Sequence, residues 1–306
     1  MQVRVPGKVM LCGEYTVLLG GMAVLVPVPR YLTLTAVDQL GPDEKNPVIR
    51  AALAEPIAEL EEWESSHPRL HVSVDRSQFT TTSQDGRTHK LGIGGSAAEA
   101  VAVIAMRFKR CGMDWKEIPE TIFKHADAAH RTAQGGVGSG ADVAAIAYGR
   151  PIRFQRTGQT SRVEIIEKPL PEHIPNLNLL WTGVSANTRE LVPPFLEWAK
   201  KDSSKPVLEE LIGLSDQIAR KMFNSTVEDF YESFERYFNL LAQTLKSAQV
   251  DWTLPIHEEL EEWTAEYQGQ SKPTGAGGGD MALLIGDLPL ERRSELIIPL
   301  DPFGSV

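Results

Sequence analysis

The sequence predicts an α+β protein built as two domains, residues 1–160 and 161–306, and three features carry that prediction. The first third is strand-like in its periodicity. After Lys90 a glycine-rich turn runs into an alanine-rich helical segment, and from Asn176 the pattern changes to long amphipathic helices that precede the closing strands.

In chain order, VRVPGKVML, GGMAVLVPV and YLTLTAVD read as strands, Pro47–Ser65 as a helical stretch and Leu70–Asp75 as another strand. Ser96–Arg110 holds neither Gly nor Pro and reads as a helix, with a second helix over Trp115–Thr132. A further glycine-rich turn, QGGVGSGAD, leads into VAAIAYG, and RPIRF and RVEIIE form strands around the loop Gln155–Ser161. The second half opens on the buried strand LNLLWTG and continues with helices near Glu190–Lys200, Pro206–Phe223, Val227–Ser247 and Pro255–Tyr267. It closes with KPTGAGGGD, the strand MALLI, a charged helix ERRSEL and the strand LIIPL.

Composition narrows the function classes. With 306 residues, 42% apolar and 24% charged, and with its 25 Gly and 20 Pro dispersed, the chain has ordinary globular composition. The 31 Lys and Arg against 41 Asp and Glu leave a formal charge of −10, so no general attraction draws it to nucleic acid or anionic lipid. Any phosphorylated ligand must be held by a local site. Cys12 and Cys111 make neither a disulfide framework nor a zinc site, which fits a reducing cytosol. The longest uncharged stretch, Tyr15–Pro29, is 15 residues, is interrupted by Gly and Pro, and is too short to span a bilayer. No signal peptide is recognisable, and a cytoplasmic location without a membrane partner is expected.

Three glycine-rich turns carry the chemistry. In Leu91–Val103 small residues precede a helix whose first turn offers free N–H groups and the positive end of its macrodipole, an arrangement suited to a polyphosphate. Ser96 can cap that helix or ligate Mg²⁺. Taken alone, the turn reads first as a plain glycine-rich helix cap. No GxxxxGK[ST] occurs, and although Gly92–Ala97 superficially matches a dinucleotide fingerprint, the preceding SQFTTTSQDGRTHK is polar rather than a buried parallel strand. The second turn, Gly135–Asp142, ends on an Asp that is by itself an ordinary helix N-cap. The third, Thr274–Asp280, is either a tight hairpin-like turn or a place of close approach to a ligand.

PGKVMLCGEYTVLLGG, LGIGGSAAEA and KPTGAGGGDMALLI, in this order across almost the whole chain, resemble the three motifs of the GHMP small-molecule kinases. The resemblance implies a ribosomal-protein-S5-domain-2-like N-terminal domain and a ferredoxin-like C-terminal domain, with ATP and Mg²⁺ in the cleft between them. It implies that Gly92, Gly94, Gly95, Ser96, Ala97 and Ala98 hold the ATP phosphates, with Ser96 as metal ligand, and that Lys8 and Asp142 are catalytic. Glu14, Ser139, Gly140, Thr274, Gly275, Ala276 and Gly277 are then expected near the acceptor, with His130 and Arg131 as candidates for its phosphate.

Within the family, AHRTAQGGVGSGADVAAIAYG, the GEY at Gly13–Tyr15, WTGVSANTRELV and the terminal Asp280 of GAGGGD are similar to the phosphomevalonate kinase branch. The acceptor that this implies is mevalonate 5-phosphate. GIGGSAA departs from the usual GLGSSAA in carrying Gly95 for a serine. The rival readings are a mevalonate kinase acting on an alcohol, a catalytically silent metabolite binder and a dehydrogenase; either a monomer or a homodimer is expected. Trp115, Trp198, Trp252 and Trp263 are expected as packing anchors, His257 and the run EELEEW at the surface, and Glu14 as either an anchor or a site residue. Arg30, Arg150, Arg153 and Lys272 are the other basic residues near the motifs.

Overall fold

The computed structural model describes residues 1–83, 86–136, 138–167, 176–223 and 225–301. Its first sheet is built from β1 (Gln2–Cys12), β2 (Ala23–Val37), β3 (His71–Asp75), β6 (Ile152–Thr157) and β7 (Thr160–Ile165), and a separate hairpin pairs β4 (Thr80–Thr82) with β5 (Thr88–Lys90). Every described strand pair is antiparallel.

The two strands expected at 20–28 and 31–38 are one, β2. Pro27 does not break β2, because it lies opposite Lys8, whose N–H donates to the Ile93 carbonyl and not to β2. The proline nitrogen therefore stands where the ladder needs no donor. Pro29 falls in the irregularity where the register shifts at Pro6/Gly7.

The helical stretch at 47–65 is two helices, α1 (Pro47–Ala54) and α2 (Glu61–Ser65). Pro56 excludes the helical conformation from the residue before it, and Glu55 adopts ψ 125°. The expected helix at 115–132 begins as a short 3₁₀ turn, with α4 (Pro119–Ala133) starting at a proline. Between α2 and α4 in sequence lies α3 (Gly95–Arg110), buried from Ala97 to Phe108 on all sides. Its alanines permit close approach to the sheet, and its buried charges are paired: Glu99 with Arg76, and Arg107 with both carboxylate oxygens of Glu64. The short α5 (Ala141–Tyr148) packs between α3, α4 and the sheet.

The second sheet runs in the order β11 (Ile297–Leu300), β8 (Leu177–Trp181), β10 (Met281–Ile285), β9 (Gln270–Pro273), the fourth, first, third and second of its strands in the chain. That is the ferredoxin-like arrangement. Between β8 and β9 run α6 (Thr188–Ala199), α7 (Lys205–Lys221), α8 (Val227–Ser247) and α9 (Pro255–Ala265). The charged helix expected at 291–296 reduces to a 3₁₀ turn, Leu290–Arg292, because Arg293 turns to an extended conformation there. β9 and the β4–β5 hairpin carry too few apolar residues to be read from periodicity. A boundary at 160/161 would split β7 from β6; the first sheet continues to Ile165 and the second starts at Leu177. Among the described residues no helix is long and apolar enough to cross a membrane.

Polar contacts between the lobes centre on residues 13–22. Glu14 is fully buried in an ion pair with Lys272 of β9, and Tyr237 of α8 accepts from the Gly13 N–H at 3.1 Å while its hydroxyl points to Glu14. Thr16 donates to Ser215 at 3.0 Å, and the Met22 N–H donates to Asp216 at 2.7 Å. One contiguous apolar core runs beneath these contacts through both lobes. Both cysteines are free, and burial pushes the Cys12 thiol up to about 12.

Of the tryptophans expected as packing anchors, Trp115 and Trp252 are buried, and Trp198 and Trp263 pack against core clusters. His257 departs from expectation: it is 4% exposed, and its Nδ1 accepts the Leu254 N–H at 2.9 Å, closing the start of α9. The glutamates of EELEEW are exposed.

Lys272→Met leaves the Glu14 carboxylate buried without its cation and should cost about 3–5 kcal/mol in urea unfolding, with Glu14→Gln/Lys272→Met recovering most of the loss. Burial lowers the His257 pKa to about 4. The unfolded chain, with an ordinary histidine, then binds the extra proton first. Stability contributed by neutral His257 is complete above about pH 6.5 and declines as pH falls toward 4. His257→Gln should flatten that limb of the stability–pH curve, measured by urea midpoints across the range.

Candidate active site

β1 supplies Lys8. The bulge at Pro6/Gly7 turns the strand so that the Lys8 N–H donates to Ile93 at 3.0 Å, and Gly7 leaves room for the Ile93 side chain. The loop before α3 is thereby attached to the sheet. The stem of Lys8 passes beneath Gly94, and its ammonium lies 3.1 Å from the Asp142 carboxylate. Lys8 is almost fully buried, whereas the Asp142 side chain is 43% exposed, so the pair opens on one side to solvent.

Gly94 is the N-cap of α3, and Ser96 is not. The N–H groups of Gly95, Ser96 and Ala97 have no intrahelical acceptor, while that of Ala98 donates to Gly94 at 2.9 Å. The Ala97 and Ala98 side chains point into the core. Gly92 has φ +72°, and any side-chain carbon there would collide with the Asp280 carboxylate. Gly95 has ordinary backbone, and a side-chain carbon there would make only an ordinary contact with Phe79 at 3.8 Å, so the exchange of serine for glycine is not required by packing.

Ser96 is exposed, and its Oγ lies 3.1 Å from His130 Nε2. Gln134 Nε2 donates to the same ring nitrogen at 3.0 Å. Burial holds the His130 pKa below its ordinary range against the pull of Asp142, Asp127 and Glu99, which favours the neutral ring as acceptor. The Ser96 hydroxyl then donates to His130 and keeps its lone pairs for another partner.

The second turn, in which Val137 lies outside the described residues, ends with Gly140 in a left-handed conformation as the N-cap of α5. Asp142 occupies the first turn of α5 without capping it, and the Ser139 hydroxyl accepts the Ala141 N–H at 3.2 Å. Beneath Gly140 lies a pair invisible in the sequence, Arg156 donating to Asp127 at 2.6 Å, with no room for a side chain at 140.

The third turn closes the β9–β10 hairpin. Thr274 donates its hydroxyl to the Met281 carbonyl at 2.8 Å, and Tyr15 donates to Ala276 at 2.9 Å. Gly275 has open space, whereas Gly277 is buried against Trp252. Asp280 ends the turn with its carboxylate lying on Gly92 of the opposite lobe. Desolvation raises its pKa, and the Ala186 N–H, Lys8 and Lys90 act against that rise.

The structure thus brings together Lys8, Asp142, Gly92, Gly94–Ala97 and His130, and adds Asp280, which the sequence marked as a detail of the third motif without placing it at the site. It separates Glu14, whose carboxylate is sealed in the Lys272 pair, and with it Lys272. Arg153 is engaged by Glu164 and the Ala219 carbonyl, Arg150 is exposed beyond the far end of α5, and Arg131 donates to the Gly136 carbonyl at 3.3 Å. No His, Cys, Asp and Glu cluster among the described residues could hold a metal alone. The donor set suits a hard cation that arrives with phosphate oxygens, as Mg²⁺ does: one accessible serine hydroxyl and the nearby carboxylate of Asp142. A cavity of about 520 Å³ at the far end of the second sheet, near Asn176 and Leu288, has no basic lining residue and shares none with this site.

Residues 57–150 match the GHMP kinases N terminal domain. The phosphomevalonate kinase of Saccharolobus solfataricus is 24% identical over 94% of this chain and 90% of its own. Among solved structures, a Lin0012 protein from Listeria innocua superposes with a TM-score of 0.82 at 23% identity, covering 97% of this chain and 96% of that one. A Streptococcus pneumoniae phosphomevalonate kinase in complex with phosphomevalonate and AMPPNP gives 0.74 at 18% identity, covering 95% and 94%. The chain has the two-lobed fold that these solved structures share.

The two loop glycines should differ on substitution. Gly92→Ala forces a side chain into a left-handed backbone and onto Asp280, and should lower stability by about 1–2 kcal/mol or more. Gly95→Ala, with ordinary φ and only an ordinary contact to Phe79, should leave the urea midpoint unchanged or raised.

Proposed function

We propose that the chain transfers the terminal phosphoryl group of ATP to the phosphate of mevalonate 5-phosphate, in the cleft between its lobes, giving mevalonate 5-diphosphate and ADP. The observation that carries this reading is the Lys8–Asp142 pair at the first turn of α5, set beneath Gly94 of a loop with three free amides. The names of the curated relatives and the fit of the GSGAD, GEY and GGGD details support the choice of acceptor.

An acceptor phosphate oxygen attacks the terminal phosphorus of ATP as the bond to ADP breaks. In this scheme the amides of Gly95–Ala97 hold the polyphosphate at the positive end of α3. The Lys8 ammonium stabilises charge on the acceptor and on the transferred group. Because a phosphate monoester has a second pKa of about 6, its oxygen is already largely ionised near neutral pH. Asp142 accordingly orients Lys8 and the acceptor more than it removes a proton. Arg131, whose other donors are not taken by Gly136, is the side chain proposed for the acceptor's own phosphate. Mg²⁺, when bound, supplies charge neutralisation on the phosphates, with Ser96 as its protein ligand.

ADP release with MgATP should be seen with mevalonate 5-phosphate and not with mevalonate at equal concentration. Turnover with mevalonate alone would overturn the acceptor, and nucleotide binding without ADP from either would support a silent binder. Asp142→Asn should still unfold cooperatively, with a modestly lowered urea midpoint as Lys8 loses its carboxylate, and lose on the order of 10²–10³ in kcat. A variant at full rate removes Asp142 from the mechanism.

A further inference from the structure

Asp280 is held more firmly than its turn requires. Its backbone is left-handed at φ +56°, an uncommon state for a residue with a side chain. That state is secured on every side: its N–H donates to Val184 at 2.7 Å, and its carbonyl accepts both the N–H and the hydroxyl of Thr182 at 2.9 Å. Oδ1 accepts the Ala186 N–H at 3.0 Å. An asparagine would satisfy all of these bonds and tolerates the same backbone. The fold therefore accounts for the position of the side chain and leaves its negative charge unexplained.

The charge is placed where phosphate should enter. The carboxylate crosses from the second lobe to lie on Gly92, and Oδ2 accepts no hydrogen bond among the described residues. Lys8 and Lys90 are the cations that act on it, but Lys8 is already matched by Asp142 at 3.1 Å, and Lys90 is exposed. A triphosphate approaching the amides of α3 thus meets two carboxylates and one buried lysine. Repulsion between like charges in such a partly desolvated site is strong. It weakens when a divalent cation travels with the phosphates and turns the carboxylate into an attractive partner.

We propose that Asp280 makes the phosphate loop selective for magnesium-complexed over metal-free nucleotide, repelling the bare triphosphate and favouring the form whose charge is offset by a divalent cation. The proposal rests on the reading that the loop at Gly92–Ala97 binds ATP. It concerns the charge of the side chain and not its hydrogen bond to Ala186, so two neutral replacements should act alike. Asp280→Asn keeps that bond; Asp280→Gly loses it and is fully at ease with the backbone.

The test is equilibrium binding, by calorimetry, of ATP with excess Mg²⁺ and of ATP with EDTA, on the wild type and both variants, with urea midpoints as the check on folding. The wild type should prefer the magnesium form. In both variants metal-free ATP should bind about tenfold tighter, with the magnesium form unchanged or weaker, so that the preference collapses. An unchanged preference in the variants overturns the proposal. Equal tightening of both forms also overturns it, and would make Asp280 a resident anion competing for the loop. Loss of preference in Asp280→Gly alone would assign the effect to the Ala186 hydrogen bond instead of the charge. A wild-type protein that binds neither form defeats the nucleotide reading itself, and the inference with it.

Discussion

Glu14 and Lys272 stand 258 positions apart in the chain and meet where water barely reaches either. Removing two charges from water costs several kcal/mol for each ion, so such a pair persists only when its geometry is tightly held and its remaining polar atoms are answered. Tyr237 answers Glu14, and the Met10 carbonyl faces Lys272. The consequence reaches the site by short paths. β1 carries Lys8 four residues before its end and then leads into Glu14, while Lys272 sits in β9 immediately before the third glycine turn. Fixing these two residues therefore fixes the turn over the loop that β1 holds at Ile93. The contact of Asp280 with Gly92 is a product of that arrangement.

Around the cleft, charges are few and each has an address. Lys8 is buried and matched by Asp142 on its open side, and the neutral His130 holds the Ser96 hydroxyl. Asp127 and Arg156 take no part in the proposed chemistry, yet their pair fills the space beneath Gly140 and so seats the N-terminus of α5 with Asp142 on it. Although the chain is acidic overall, the α3 terminus sets three amides and a lysine against two carboxylates, Asp142 and Asp280. A polyphosphate can be held there without a basic surface when a divalent cation offsets part of its charge.

Much of the framework was legible from sequence because periodicity reports which face is buried. The strands at 3–11, 70–75 and 177–181 and the four helices of the second half lie where that pattern places them. The failures have local causes. The break expected at Pro29–Arg30 is only the irregularity where β1 and β2 shift register, and Pro56 split a helix that hydrophobic spacing alone ran together. β9 and the β4–β5 hairpin were hidden because short, polar strands owe their pairing to neighbours and not to their own residues. His257 read as a surface residue from its acidic surroundings, although those glutamates point away from the buried face it shares with Leu260.

By itself, the sequence determined the order of the glycine turns, the helices that follow two of them and the presence of Lys8, Ser96 and Asp142 at their edges. These are local properties, set by backbone freedom, capping and side-chain type within a few residues. Only the tertiary structure decided that Lys8 meets Asp142, that Glu14 is an anchor sealed against Lys272, and that Asp280 rests on Gly92. Each of those contacts joins positions far apart in the chain, and burial in a common core, which no local pattern encodes, brings them within reach of one another.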